Sequence, residues 1–264
     1  MATTPTLTEA RSQYEQDGFV IFRNVLDREL IQEASAHVDW LLEKHPELRG
    51  EQLHHWLMEK DAFWVRLISD PRLLDVAEQF IGPNIALFAS HYISKPPFTG
   101  QEVLWHQDGG YWPLEPMEVV TLWLAVDRAD KENGCMRVIP GTHKLQLIEM
   151  DDASAKGAVL DRETPPEYVE EDKAVDIVLD PGDVEVHHPN IIHGSHANTS
   201  PRRRCGLTIR YIPTSTKVVD PNVAQWPSLF HLRGDAVPGV NDYRPKPKYV
   251  EGESFPFRGS DAWK

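Results

Sequence analysis

Apolar positions along the chain follow two spacings, and the change between them falls near residue 84. From Asp27 to about His45, Leu30, Ile31, Ala34, Val38, Leu41 and Leu42 recur at three- and four-residue steps. That spacing predicts an amphipathic helix with Asp27 at its N-terminus. A shorter helix is expected from a Thr8 cap to about Gly18, with residues 1–7 frayed. GFVIFRNV (18–25) mixes β-branched and aromatic residues and reads as a strand. Residues 53–82 are helical again; Pro71 opens a fresh segment and Gly82-Pro83 ends it.

Beyond residue 84 the apolar runs become short. Strands are expected at 84–95, 102–108, 118–127, 135–140, 174–180, 183–188 and 204–213, separated by turn signals such as Lys95-Pro96-Pro97 and Asp180-Pro181-Gly182-Asp183. So many short strands behind a helical start predict a mainly β domain with flanking α-helices, a sandwich or jelly-roll barrel. The chain reads as a single domain, 1–264, with a helical part over about 8–82 and a jelly-roll core over about 84–213. An acid-rich stretch, 145–173, is expected as an insertion at the barrel rim. The segment 214–264 carries Trp226, Phe230, Tyr243, Phe255, Phe257 and Trp263, which predict wrapping over the domain rather than a disordered tail.

Charge narrows the partners. With 41 acidic against 27 basic residues the formal net charge is −14, which argues against nucleic acid and anionic membranes, both of which call for basic surface. No apolar run approaches the ~18 residues of a membrane span. The start lacks the basic and apolar regions of a signal peptide. Cys135 and Cys205 lie far apart and read as buried reduced thiols, so a cytoplasmic protein acting on a small molecule is expected. Oligomeric state has no signature here.

Candidate chemistry begins with H-x-D, which occurs twice. His37 and Asp39 fall on the long helix, where positions two apart point about 200° from each other. They cannot chelate one ion and are expected to face solvent. His106 and Asp108, in LWHQDGGYW, fall on a strand, where positions two apart share a face about 7 Å apart. A third ligand must be distant, and HHPNIIHGSH (187–196) holds four histidines. Two His and one carboxylate with three open positions is the ligand pattern of non-haem Fe(II) oxygenases; two open positions take a chelating cosubstrate and one takes O2. A 2-oxoglutarate cosubstrate would need a fixed cation for its far carboxylate, a role suited to the planar fork of Arg. Arg204, Gly206, Thr208 and Arg210 share one strand face; Arg202 and Arg203 read as surface charges.

HQDGGYWPLEP, ENGCMRVIPGTHK, PGDVEVHHPNIIHGSHAN and Arg204, together with YEQDGFVIFRNVLDRELI near the start, resemble the phytanoyl-CoA dioxygenase family of Fe(II)/2-oxoglutarate oxygenases. The resemblance spans about residues 14–213 and leaves 214–264 unsupported. It implies a cupin-like double-stranded β-helix. It implies His106, Asp108 and His193 as iron ligands, Arg204 for the far carboxylate of 2-oxoglutarate, and Ser195 and Trp123 beside that cosubstrate. His91 sits at a matching but variable position, and Thr121 shares the inward phase of Trp123. It also implies Fe(II), 2-oxoglutarate and O2 as the cofactor set, and oxidation of an unactivated C–H bond by hydroxylation, oxidative cyclisation or desaturation. The carboxylate of Asp108 argues against halogenation.

Bland alternatives stand beside these roles: Trp123 as core, His196 as a satisfied surface residue, His188 and His143 as structural groups, Arg210 in an internal salt bridge. His187 stays ambiguous. Tyr111, Trp112 and the acidic insertion are expected at the mouth, with His196 a candidate substrate contact and Arg210 a candidate for a substrate carboxylate or phosphate. The acidic net charge disfavours phytanoyl-CoA itself, whose phosphates call for basic surface. Tailoring of a small, sugar-containing natural product is the favoured expectation, with amino-acid and phosphonate hydroxylation open. A non-redox cupin-like metal protein and a zinc hydrolase are the rivals from other classes.

Overall fold

The structure, a computed structural model, describes residues 7–154 and 158–264; the fraying expected at the start falls largely on residues 1–6, outside them. Helix α1 (Leu7–Asp17) begins one residue before the expected Thr8 cap. Strand β1 (Phe19–Phe22) follows, then α2 (Arg28–Lys44), where the Asp27 carboxylate accepts from the Leu30 N–H at 2.9 Å. Helices α3 (Ala62–Ile68) and α4 (Pro71–Ile81) complete the helical part, and Gly82, at φ +80°, ends α4 in a conformation that favours glycine.

The strands are β2 (Ile85–Lys95), β3 (Val103–His106), β4 (Leu114–Glu115), β5 (Val120–Ala125), β6 (Arg137–Val138), β7 (Asp151–Asp152) and β8 (Arg162–Glu163). Next come β9 (Val175–Asp176), β10 (Val184–His187), β11 (His193–Ser195), β12 (Arg204–Pro213), β13 (Lys217–Val218) and β14 (Phe230–Arg233). The larger sheet runs β1-β10-β5-β12-β2-β14 and the smaller β3-β11-β6-β9, with antiparallel pairing throughout. Two facing antiparallel sheets backed by helices are the double-stranded β-helix. The outer face of the larger sheet packs on the helices through Phe63, Trp64, Leu67, Leu122, Leu207 and Ile209. The inner face, where β12 turns Arg204, Thr208 and Arg210, looks toward the smaller sheet.

Three expectations change. His37 is fully buried, not solvent-facing: its Nε2 lies 2.7 Å from Asp61 Oδ2 and its Nδ1 3.1 Å from the Tyr92 hydroxyl. It lies three residues after Ala34 and four before Leu41, within the apolar stripe, and Asp61 supplies the partner that makes burial tolerable. Asp39 does point outward, to an ion pair with Arg203 at 2.6 Å. Arg203 is accordingly half-buried between Asp39 and Asp127 rather than a loose surface charge. Finally, the last fifty residues do more than wrap. They supply β14, an edge strand on β2, and they put Phe255 and Phe257 into the main core.

Candidate active site

Strand β3 ends at His106, two residues earlier than the pattern predicts, and Asp108 opens a 3-10 turn, Asp108–Tyr111. Gln107 keeps an extended backbone (φ −111°, ψ 120°), so the alternation still carries Asp108 to the side of His106. The Gln107 side chain, buried on the other side, is fixed by donating to Asn190 O at 2.7 Å and accepting from Ile148 N at 2.8 Å. Strand β11 was absent from the expected set, because a three-residue His-Gly-Ser strand has too little apolar content to show. It pairs His193 directly opposite His106. The two imidazole centroids lie 4.1 Å apart, and ligand atoms of His106, Asp108 and His193 all fall within 4.8 Å of one another.

This donor set fits a divalent metal. His106 Nδ1 donates to Leu104 O at 2.8 Å and His193 Nδ1 to Ile191 O at 3.1 Å, which leaves both Nε2 lone pairs free as ligands. Burial, with His106 alongside, holds His193 well below the usual imidazole range, hence neutral. Burial opposes the ionisation of Asp108, but the Arg210 charge, with the His106 and His187 rings beside it, outweighs it and holds its carboxyl well below the usual range. Behind Asp108 lies a chain the sequence did not reveal. His187 Nε2 is 3.7 Å from Asp108 Oδ2, and its Nδ1 is 2.8 Å from the buried Glu185. Burial works against charge on His187, yet Glu185 and Asp108 raise it to about 9.

The three residues line a cavity of about 120 Å³ with an arginine at each end. At one end Arg204, fully buried, donates to Gly134 O at 3.0 Å and to Ser195 Oγ at 3.3 Å, with its guanidinium over the Trp123 ring. Burial pulls it down to about 10. Lys95, in register with Arg204 on β2 and equally buried, donates to Ser195 Oγ at 2.7 Å and His196 O at 2.5 Å. Burial and the Arg204 charge push Lys95 down to about 6. Gly134, at φ +73°, is the turn that offers its carbonyl to Arg204. A Cβ at Gly206 would stand 2.0 Å from Trp123 Cζ2, so the glycine makes room for the indole.

At the other end Arg210 donates to His91 Nδ1 at 2.9 Å and to Thr208 Oγ1 at 3.0 Å, with Asp108 Oδ2 at 3.5 Å. A second chamber of about 210 Å³ opens there, walled by Phe88, Tyr111, Trp112 and Trp226. The insertion reaches the cavity, but through Val159 and Leu160 rather than its acids, and Arg162 stacks on Tyr111 at 4.1 Å. His196 and Thr121 do not join the cavity. His196 is exposed and accepts from Arg137 at 2.8 Å; Thr121 is buried in β5 in register with Arg210 and His187. Their letters gave no way to see this, since phase alone puts Thr121 beside Trp123. His188 accepts from Asn190 N and packs on Tyr14, a structural place.

The family model for phytanoyl-CoA dioxygenase (PhyH) matches residues 14–206. The chain belongs to that family. As such it is an Fe(II)/2-oxoglutarate-dependent dioxygenase, with Fe(II), 2-oxoglutarate and O2 as its cofactor set. It is 28% identical over 238 residues to the peroxisomal phytanoyl-CoA dioxygenase of Homo sapiens, covering 80% of this chain and 70% of the relative. Among solved structures it is similar to the non-heme monooxygenase ThoJ (23% identity, TM-score 0.76, 95% of this chain and 91% of that one). It is also similar to the epimerase SnoN in complex with Fe3+, alpha ketoglutarate and nogalamycin RO (21% identity, TM-score 0.68, 94% and 96%). Those two likenesses establish the double-stranded β-helix.

Proposed function

We propose that this family member oxidises an unactivated C–H bond of a small polar metabolite, by hydroxylation or oxidative cyclisation, in the biosynthesis of a natural product that contains sugar. The observation that carries the reading is one cavity holding His106, Asp108 and His193 midway between Arg204 and an aromatic chamber. His106 and His193 offer Nε2, and Asp108 offers an oxygen, to Fe(II). Bound Fe(II) with 2-oxoglutarate and O2 supplies the oxidising power, with succinate and CO2 as by-products. Arg204 takes the far carboxylate of 2-oxoglutarate in its fork. Ser195 Oγ already accepts from Arg204 and Lys95, so its own O–H is free to donate to that carboxylate. Trp123 walls the cosubstrate, and Ile93, Val103 and Met136 exclude water from it.

Tyr111 and Trp112 face the substrate, and flat aromatic walls beside polar groups suit a compact polar molecule better than a lipid chain. The chamber and the net charge of −14 both disfavour a CoA ester. Two buried free thiols fit a reducing compartment such as the cytosol, and no helix among the described residues is long and apolar enough to cross a membrane. The test is succinate release with Fe(II), 2-oxoglutarate and O2 against a panel of sugars, glycosides, amino acids and phosphonates. Turnover stimulated by one polar class supports the proposal; stimulation by fatty acyl-CoA alone contradicts it.

A further inference from the structure

Buried cations are costly unless paired. The more exposed Arg72, Arg202, Arg203 and Arg233 each hold carboxylates at 2.7–3.0 Å. The two buried arginines among the described residues, Arg204 and Arg210, 2% and 7% exposed, have no carboxylate so close and sit at opposite ends of one cavity. Arg204 has only a carbonyl and a hydroxyl as partners, and an incoming carboxylate, that of 2-oxoglutarate, completes it. Arg210 is in the same condition. Its Nη1 donates to a hydroxyl and an imidazole. Its Nε, buried, has no hydrogen-bond partner among the described residues. The one carboxylate in reach, Asp108, is at 3.5 Å, long for a charge-assisted bond, and it is committed to the metal in the reading above.

The surroundings of Arg210 are built to accept an anion. Trp112 stacks under the guanidinium at 5.1 Å from its ring centre and keeps the fork flat. His54, His55 and His91 line the same chamber. Burial, with the Arg210 charge behind it, lowers all three, His55 to about 4, so they stay neutral and do not compete with Arg210 as cations. The acids nearest the cavity other than Asp108 are accounted for: Glu51 faces Arg49 at 3.3 Å, and Glu185 faces His187.

We infer that Arg210 is the docking point for an anionic group of the primary substrate, a carboxylate or phosph(on)ate, on a molecule compact enough to stack against Trp112. The inference rests on the reading of Asp108 as a metal ligand and deepens it. Because Arg210 Nη2 lies beside Asp108, the C–H bond presented to the metal is a near neighbour of the acid group, not the far end of a chain.

The test is anaerobic calorimetric titration of the Fe(II) enzyme at saturating 2-oxoglutarate with benzoate, phenylphosphonate and benzamide, three probes of one skeleton. The expected result is at least tenfold tighter binding of an anion than of benzamide. The stronger of benzoate and phenylphosphonate then tells carboxylate from phosph(on)ate. Arg210→Gln is expected to abolish the preference and Arg210→Lys to keep part of it, with 2-oxoglutarate affinity within about twofold of wild type in both. Equal binding of benzamide, no binding of either anion at 10 mM, or an anion preference that survives in Arg210→Gln each overturns the inference. Failure of 2-oxoglutarate to bind in the same cell counts instead against the cosubstrate reading, and the anion titration without 2-oxoglutarate still reads Arg210.

Discussion

Lys95 shows how a single residue records the design of the site. An ammonium has three donors and an amine two, and Lys95 meets two acceptors, Ser195 Oγ and His196 O. Unfolded, its ionisation lies near the ordinary 10.5; folded, near 6. Between those values the unfolded chain binds the extra proton, so stability rises with pH across that window, and the full penalty is present below about 6. Lys95→Met is therefore expected to unfold at higher temperature than wild type at pH 7, with the gap closing toward pH 10 at up to about 1.4 kcal/mol per pH unit. Thermal melts of cofactor-free protein at pH 7, 8 and 9 measure this, and a gap independent of pH would contradict it. Arg204 offers a second residue-scale outcome. Arg204→Lys replaces a bidentate fork with a point charge, and is expected to raise the 2-oxoglutarate KM at least tenfold while leaving the fold intact.

At the scale of elements, the helical and strand spacings placed most of what matters. The long amphipathic helix, the two long inner strands β2 and β12, and the side of His106 that Asp108 reaches all follow from apolar periodicity, which is strong where one face of an element is buried. What escaped is physically coherent. Strand β11 is three residues of His, Gly and Ser and exists only because β3 and β6 flank it. His37 looks polar by its letter, and its burial depends on Asp61, twenty-four residues away. The Glu185–His187–Asp108 chain joins strand β10 to the turn after β3, and no local pattern encodes such a meeting. Gly206 was legible only as a member of the inward face of β12; the space it leaves is filled by the Trp123 indole on the neighbouring strand. Gly206→Ala pushes a Cβ into the indole, so a loss of about 1–3 kcal/mol is expected, as for other overpacked cores, together with weaker 2-oxoglutarate binding. Denaturant melts and a 2-oxoglutarate titration check both; unchanged cosubstrate affinity would separate Trp123 from the cosubstrate.

At the scale of the whole molecule, the two sheets hold the site and the ends of the chain seal it. The segment after Pro213 contributes β14 to the larger sheet, Trp226 to the chamber wall and Phe255 with Phe257 to the core around His37 and Phe63. A chain ending at residue 213 leaves the β2 edge unpaired and that core open, and it is expected to lose cooperative thermal unfolding. A sharp melt from the truncated protein would show the segment to be dispensable. Against the acidic net charge of the chain, two buried arginines, Arg204 and Arg210, face one cavity. Anionic small molecules are drawn to that cavity by local charge alone, against the sign of the whole protein.

The most direct test of the central claim, that His106, Asp108 and His193 hold Fe(II) beside a 2-oxoglutarate gripped by Arg204, is optical. Under anaerobic conditions Fe(II) and 2-oxoglutarate added to the protein are expected to give a weak visible charge-transfer band. The band is expected to vanish in His106→Ala and to need higher 2-oxoglutarate in Arg204→Ala. No band in the wild-type protein, with tight zinc binding in its place, would contradict the account.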